Sequence, residues 1–178
     1  MLPRAVRSVL AQRYSNVEVL VVDDNTDPQE QQRVREVLEP FGPRVRLLRN
    51  ARGKGACGAR NTGILSARGE LIGFLDDDDR WLPEKLTEQI ALLTQDVCIG
   101  ALCSYIEIDF VFGRAVNCRG FEPVLTREMA LSGVCPTSTS LALVRRDVLL
   151  EAGLFDENLP SFQDYDMWLR CLEFGQLR

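Results

Sequence analysis

Four consecutive carboxylates, Asp76 to Asp79, close an apolar run that begins at Leu71 in "GELIGFLDDDDRWLP". Like charges repel, and a position at the end of a buried strand makes them harder to ionise. Two settings relieve this. One is a solvated surface turn. The other is a cation: Mg²⁺ and Mn²⁺ take oxygen ligands, typically one or two carboxylates with substrate phosphates beside them. Ligands of open α/β sheets gather outside the carboxyl ends of the strands, which is where this run falls. A second acidic pair, Asp23 and Asp24, ends the β-branched run "VEVLVV". A carboxylate there can accept hydrogen bonds from a nucleobase edge or a ribose. It can equally cap a turn with Asn25.

The composition removes several chemistries. The chain has no His, which excludes Ser-His-Asp and Cys-His catalysis, His-ligated zinc and a His base. A base, if there is one, is Asp or Glu. The six Cys form no C-x-x-C pair, so they read as small apolar residues of a reducing compartment. A net charge of −5 argues against a nucleic-acid surface. There is no apolar signal core at the N-terminus and no run approaching ~20 apolar residues. The expected location is cytoplasmic, with peripheral association at the cytoplasmic membrane face left open.

The elements that must position these groups follow from periodicity. "PRAVRSVLAQR", residues 3–13, reads as a helix with Pro3 in its first turn. Residues 17–22 read as a strand, and 28–42 as an amphipathic helix with Val34, Val37, Leu38 and Phe41 inward and Gly42 at its end. A short strand at 44–49, a helix at 58–69, a strand at 70–75 and a helix at 83–94 come next. Beyond residue 95 the pattern gives two strands up to about residue 116, another at 139–144, and a helix from about Asp164. This alternation is that of an α/β fold, a mostly parallel, doubly wound (Rossmann-like) sheet flanked by helices. With 178 residues, 46% apolar, one domain with a substantial core is expected. The order opens on a helix, whereas doubly wound domains usually begin with a strand. The expectation is a single domain over 1–178, shortened at the N-terminus, with shortening at the C-terminus left open.

Three separated stretches carry a family resemblance: "LPRAVRSVLAQRYSNVEVLVVDD", "GKGACGARNTGILSARGELIGFLDDDDRWLPEKLTEQ" and "LFDENLPSFQDYDMWLR". In this order they resemble the family-two inverting glycosyltransferases with the GT-A fold, over about residues 2–175. The resemblance implies that Asp24 contacts the base of a nucleotide-sugar donor. It implies that Asp76 and Asp78 are the metal-binding Asp-x-Asp pair, with Asp77 on ribose or metal; four tandem Asp leave that register open by one. It implies Mn²⁺ or Mg²⁺, a UDP-sugar on family frequency, and a sugar, lipid-linked or glycan acceptor in polysaccharide or glycoconjugate synthesis. Asp164 matches the family's catalytic base, which takes the acceptor hydroxyl proton as the oxygen attacks the anomeric carbon. Gln163 stands where a Glu is usual, which bears on acceptor positioning. An N-cap-like role for Asp164 is compatible with catalysis. Thr137 to Ser140 lie where the family lines the acceptor cleft, or simply form a loop entering a strand.

Other readings are open at this level. Gly53-Lys54-Gly55-Ala56-Cys57-Gly58 satisfies G-x-G-x-x-G, so a dinucleotide-binding enzyme is one alternative, though the preceding "RVRLLR" is too charged for a central strand. In the transferase reading, Lys54, Arg52 or Arg60 approach the base or phosphate, or are solvated loop cations. Another alternative is a non-catalytic fragment, whose exposed sheet edge would favour a homo-oligomer. Asp166 and Arg170, four apart on a helix, suit a surface ion pair.

Overall fold

The computed structural model describes residues 1–93, 98–109, 111, 113, 115–119, 124–135 and 138–178, with only the backbone at 116–119. Its first half alternates as expected. Helix α1 (Leu2–Leu10) leads to strand β1 (Val19–Asp23), helix α2 (Pro28–Leu38), strand β2 (Val45–Arg49), helix α3 (Ala56–Ser66), strand β3 (Leu71–Gly73) and helix α4 (Lys85–Leu92). Strands β4 (Cys98–Leu102), β5 (Tyr105–Ile108) and β6 (Ala115–Arg119) follow, where the periodicity predicts two. Helix α5 (Arg127–Leu131), strand β7 (Ala142–Arg145), helices α6 (Arg146–Glu151) and α7 (Gln163–Cys171), and strand β8 (Gln176–Leu177) complete the order.

The α/β class and its flanking helices hold, but the pairing is more mixed than the alternation predicts. Strands β1 and β2 pair in parallel, as do β4 and β8. Strand β7 enters antiparallel between β3 and β4, and β5 pairs antiparallel with β6. The break lies beyond α4, where the helix–strand rhythm already fades. Alternation along β7 serves two cores: Ala142 and Val144 face one, Leu143 the other.

The predicted helix over 28–42 stops early. Asp27 caps α2 by accepting from the Gln29 amide at 2.8 Å, and the helix ends at Leu38. A 3₁₀ turn over Glu39–Arg44 replaces the rest, because Pro40 and Pro43 lack amide donors and Gly42 turns the chain at φ 58°. Phe41 is still buried, now from the turn, whereas Val37 is 38% exposed. The predicted strand at 70–75 keeps its ladder only to Gly73, so Phe74 to Asp76 leave the sheet as a free segment.

Two packing groups hold that segment. On one side Phe74, Phe155 and Trp168 meet as an aromatic trio, with centroids 5.5 Å apart for Phe74–Phe155 and 6.2 Å for each of the pairs with Trp168. Met167, Trp168 and Cys171 are fully buried, so the apolar face of α7 lies in the main core. On the other side Trp81 is buried, and its Nε1 donates to the Ser140 carbonyl at 3.0 Å.

Lys85 is buried beside that indole, with Nζ 4.3 Å from the ring centroid and donating to Gln89 Oε1 at 2.6 Å. Burial pushes its ammonium down from 10.5 to about 8, opposed by the nearby Cys103. The unfolded chain therefore holds more protons between those values, and stability rises with pH across that window. Replacing Lys85 by Met is expected to remove this slope. Between pH 7.5 and 9.5, denaturant titrations of wild type and Lys85→Met should diverge by about 2 kcal/mol, the wild type gaining. Parallel curves would show that the amine is not held in a dehydrated site.

Candidate active site

The cleft of about 160 Å³ beyond the end of β3 is built from four directions. Asp76 comes from the segment after β3, and Arg60 from α3. Ser138 and Thr139 come from the turn before β7. Phe162, Gln163 and Asp164 come from the head of α7. Asp76 is fixed by its backbone: its amide donates to Ser140 Oγ at 3.0 Å, and its carbonyl accepts from the Asp79 amide at 3.1 Å, which closes the acidic turn. The Asp76 side chain is 43% exposed and paired with Arg60 at 2.9 Å. Arg60 lies over the Phe155 ring at 5.6 Å.

Asp164 is the second residue of α7. Its Oδ1 accepts from the Tyr165 amide at 2.9 Å. The capping position belongs to Phe162, not to Asp164. Gln163 Nε2 donates to the Leu159 carbonyl at 3.0 Å, a bond that a Glu carboxylate could not donate. The Asp166–Arg170 pair forms at 2.5 Å, and Arg170 also donates to the carbonyls of Ala152 and Leu154, so it anchors the preceding loop as well as the helix.

The remaining sequence candidates lie outside this cleft. Asp77 and Asp78 are exposed on the acidic turn, where Arg4 donates to the Asp78 carbonyl. Lys54 is exposed, with no ion pair among the described residues. Asp24 is half-buried and bound within the chain: Oδ1 accepts from Asn50 Nδ2 at 2.6 Å and Oδ2 from the Gly55 amide at 2.8 Å. The turn chemistry expected near Asn25 is carried by Asp23, which accepts from both Asn25 nitrogens and pairs with Arg49. Thr137 lies outside the described residues.

The glycine turn has a donor inventory that bears on the dinucleotide alternative. A phosphate cradle needs free backbone amides. Here the Gly55 amide serves Asp24, the Gly53 amide serves Glu157 at 2.9 Å, and the Arg52 amide serves Asn50 Oδ1 at 3.0 Å. These amides are satisfied by the chain's own oxygens.

Glu157 and Asn61 were not singled out from the sequence. Glu157 accepts from Arg52, from the Gly53 amide and from Asn61 Nδ2 at 2.8 Å. The Arg52 and Asn61 side chains, with the Gly53 amide, hold its carboxyl well below the usual range, at about 2. Asn61 is fully buried and pins Phe155 twice, at 2.8 Å to its carbonyl and 2.9 Å from its amide. Together they tie the glycine turn to the loop that leads into Asp164. A signal existed: Asn61 falls on the same helical face as Cys57 and Ile64, a polar residue where the spacing demands an apolar one.

A family model for glycosyl transferase family 2 matches residues 1–152. The chain belongs to glycosyl transferase family 2. It is 32% identical to a putative colanic acid biosynthesis glycosyl transferase, WcaA of Escherichia coli K12, over 97% of its own length and 62% of that protein's. It is 30% identical to the Escherichia coli UDP-Glc:alpha-D-GlcNAc-diphosphoundecaprenol beta-1,3-glucosyltransferase WfaP, over 96% of its own length and 64% of that relative's. The chain thus spans less than two thirds of these relatives. Among solved structures, S. aureus TarS 1-349 superposes with a TM-score of 0.73 at 21% identity, over 99% of this chain and 53% of that one. The mannosyltransferase PcManGT of Pyrobaculum calidifontis, in complex with GDP-Man and Mn2+, gives 0.70 at 18% identity, over 99% of this chain and 49% of that one. The fold shared with this family is GT-A.

Proposed function

We propose that this chain carries the donor and base sites of an inverting glycosyltransferase that moves a sugar from a UDP-sugar to an acceptor hydroxyl. The observation behind this reading is that Asp76 and Asp164, far apart in sequence, line one cleft. Asp164 accepts the acceptor's hydroxyl proton while the freed oxygen forms a bond to the anomeric carbon. The bond from that carbon to the phosphate oxygen breaks on the opposite face, and the nucleoside diphosphate leaves with the bonding electrons. Arg60 holds a positive charge against this departing anion. Asp24 and the turn that it closes form the base-side wall, with Lys54 at its rim.

The acidic turn fits a divalent ion shared with substrate. Asp76 and Asp78 present two carboxylates to solvent, the Asp76 side chain 43% exposed and Asp78 exposed on the turn. This suits Mn²⁺ or Mg²⁺, which keep few protein ligands and complete their shell with phosphate oxygens, with Asp77 beside them. When bound, such an ion neutralises the diphosphate charge.

The choice of UDP rests on the named relatives: WfaP is a UDP-glucose enzyme, and TarS 1-349 is known in complex with UDP-GlcNAc. WfaP also acts on a diphosphoundecaprenol-linked acceptor, so a lipid-linked acceptor, polysaccharide synthesis and a peripheral place at the cytoplasmic membrane belong to the same proposal. Among the described residues no helix is long and apolar enough to cross a membrane. Strand β1 pairs only with β2 among the described strands, and a homo-oligomer through that edge is part of the proposal.

Calorimetric titration with UDP, with and without Mn²⁺, tests the donor site. Binding is expected to require the ion and to weaken at least about tenfold in Asp78→Asn, one lost charged ligand contact. A folded chain that binds no UDP would sink the UDP-sugar reading and favour a non-catalytic family member.

A further inference from the structure

Strands β1 and β3 each have one paired and one open edge. Among the described strands β1 pairs only with β2, and β3 only with β7. The Asn50 amide donates to the Asp23 carbonyl at 3.0 Å. Alternation along that parallel ladder turns Val19, Val21 and Asp23 towards β2, and Leu20 and Val22 away from it. The Arg146 amide donates to the Glu70 carbonyl at 2.8 Å, so Glu70 and Ile72 turn towards β7, and Leu71 and Gly73 away. The backbone groups of Leu20, Val22, Leu71 and Gly73 have no partner among the described residues.

The two open edges face one gap. Glu18, just ahead of β1, accepts at one carboxylate oxygen from the Arg68 and Gly69 amides ahead of β3, at 2.5 and 3.1 Å. A glutamate side chain thus lies between backbones that would be about 4.8 Å apart if paired. Helix α1 covers one face: Val6 joins Val21 in one apolar cluster, and Val9 joins Leu71 in another. Helix α3 covers the other face: Ile64 shares a cluster with Ile72, and a Cβ on Gly63 would touch Val22. Between these helices the strands are not sealed. Leu20, Val21, Val22, Leu71 and Ile72 are only half-buried, and Gly73 is exposed. Leu20 and Val22 belong to none of the apolar clusters of the described residues. Strands roofed by helices on both faces are normally buried throughout, and their backbone groups normally paired.

We propose that the gap between β1 and β3 is a docking slot for one added strand, an extended apolar peptide segment of another chain bonded to both edges at once. Its length follows β1, at about five residues. Its composition follows the walls: alternate side chains meet α1 and α3, so both faces must be apolar. Backbone hydrogen bonds hold it, as in other strand additions. A folded sheet edge backed by its own helices is too wide to enter, so a second copy would have to release a segment of its own fold. The inference rests on backbone geometry and not on the transferase reading.

The probe is a blocked peptide with the core Val-Ile-Val-Val-Ile between lysines, titrated by calorimetry into the whole chain. Binding is expected, with a Tm that rises with peptide concentration. Two modified peptides carry N-methyl groups on alternate core residues, one for each parity. A strand held on both sides bonds to β1 through one parity and to β3 through the other. Each modification should therefore weaken binding at least about tenfold. Hydrogen-exchange NMR should show the amides of Leu20, Val22, Leu71 and Gly73 slowed together on binding. Those of Val19 and Val21, already turned to β2, should change less. Loss with one parity only, or protection of one strand only, overturns the slot in favour of a single edge. So does a folded chain that leaves the peptide unbound. Sedimentation of the chain alone tests the second copy: a dimer with the four amides already slow gives the gap to that copy and overturns a separate partner.

Discussion

Asp164→Asn is expected to slow sugar transfer by about 10²–10⁴-fold, the range of a general base, while UDP binding stays within about twofold. The substitution is nearly isosteric. Its amide oxygen can still accept from the Tyr165 amide, the bond that fixes Asp164 at 2.9 Å, so the start of α7 should be preserved. What disappears is the lone pair basic enough to take the acceptor proton. That interaction exists only as the oxygen attacks, so the loss should fall on kcat and not on the donor's KM. Among the described residues no other carboxylate of the cleft is free to substitute: Asp76 is paired with Arg60 at 2.9 Å. The adjacent position is Gln163, whose amide is committed to the Leu159 carbonyl, and Asp166 is paired with Arg170. Single-turnover transfer with a labelled donor, beside calorimetry with UDP, separates the two quantities. A variant that keeps transfer within tenfold of wild type would remove Asp164 from the chemistry.

The readable parts of the molecule were those where local pattern and packing agree. "VEVLVV" and "PEKLTEQIALLT" gave a strand and a helix because their apolar spacing is also the spacing that the cores use; Leu86 and Leu93 are both buried. The helix over 28–42 was overextended because apolar periodicity persists through Phe41 while Pro40 and Pro43 end the hydrogen bonding. Strand β8 and helices α5 and α6 escaped notice because they are two, five and six residues long, too short for a period to register. The site divides similarly. Asp76 stood out by the run of like charges that it opens, and Asp164 by the family resemblance. Glu157 and Asn61 did not, since their meaning depends on partners about one hundred residues away. No local pattern reports a contact between residues 53 and 157, whereas the fold makes it through a backbone amide.

That long-range tie makes Gly58 the most exacting position of the glycine turn. Gly58 lies in the first turn of α3 and is buried. A Cβ built there would come within 1.8 Å of the Gly53 carbonyl oxygen and 2.8 Å of its carbon. Both are backbone atoms, so no side chain can rotate away, and the turn itself must move. Moving it strains three bonds at once: Asn50 Nδ2 to the Gly53 carbonyl at 2.9 Å, the Gly53 amide to Glu157, and the Gly55 amide to Asp24. Overpacking costs about 1–3 kcal/mol or more, and each bond about 0.5–1.5 kcal/mol. Gly58→Ala should therefore lose about 3–5 kcal/mol, which lowers Tm by roughly 10 °C in a chain of this size, with UDP affinity falling as Asp24 is displaced. Gly63→Ala is the matched control on the same helix, where a Cβ would meet only Val22 Cγ2 at an ordinary 3.6 Å. There the better helix propensity of Ala should leave stability unchanged or raise it by up to about 1 kcal/mol. Thermal melts of the two variants, each with and without UDP and Mn²⁺, distinguish a packing constraint from a general intolerance of α3. Equal losses in both would mean that the helix, and not the contact between Gly53 and Gly58, sets the requirement for glycine.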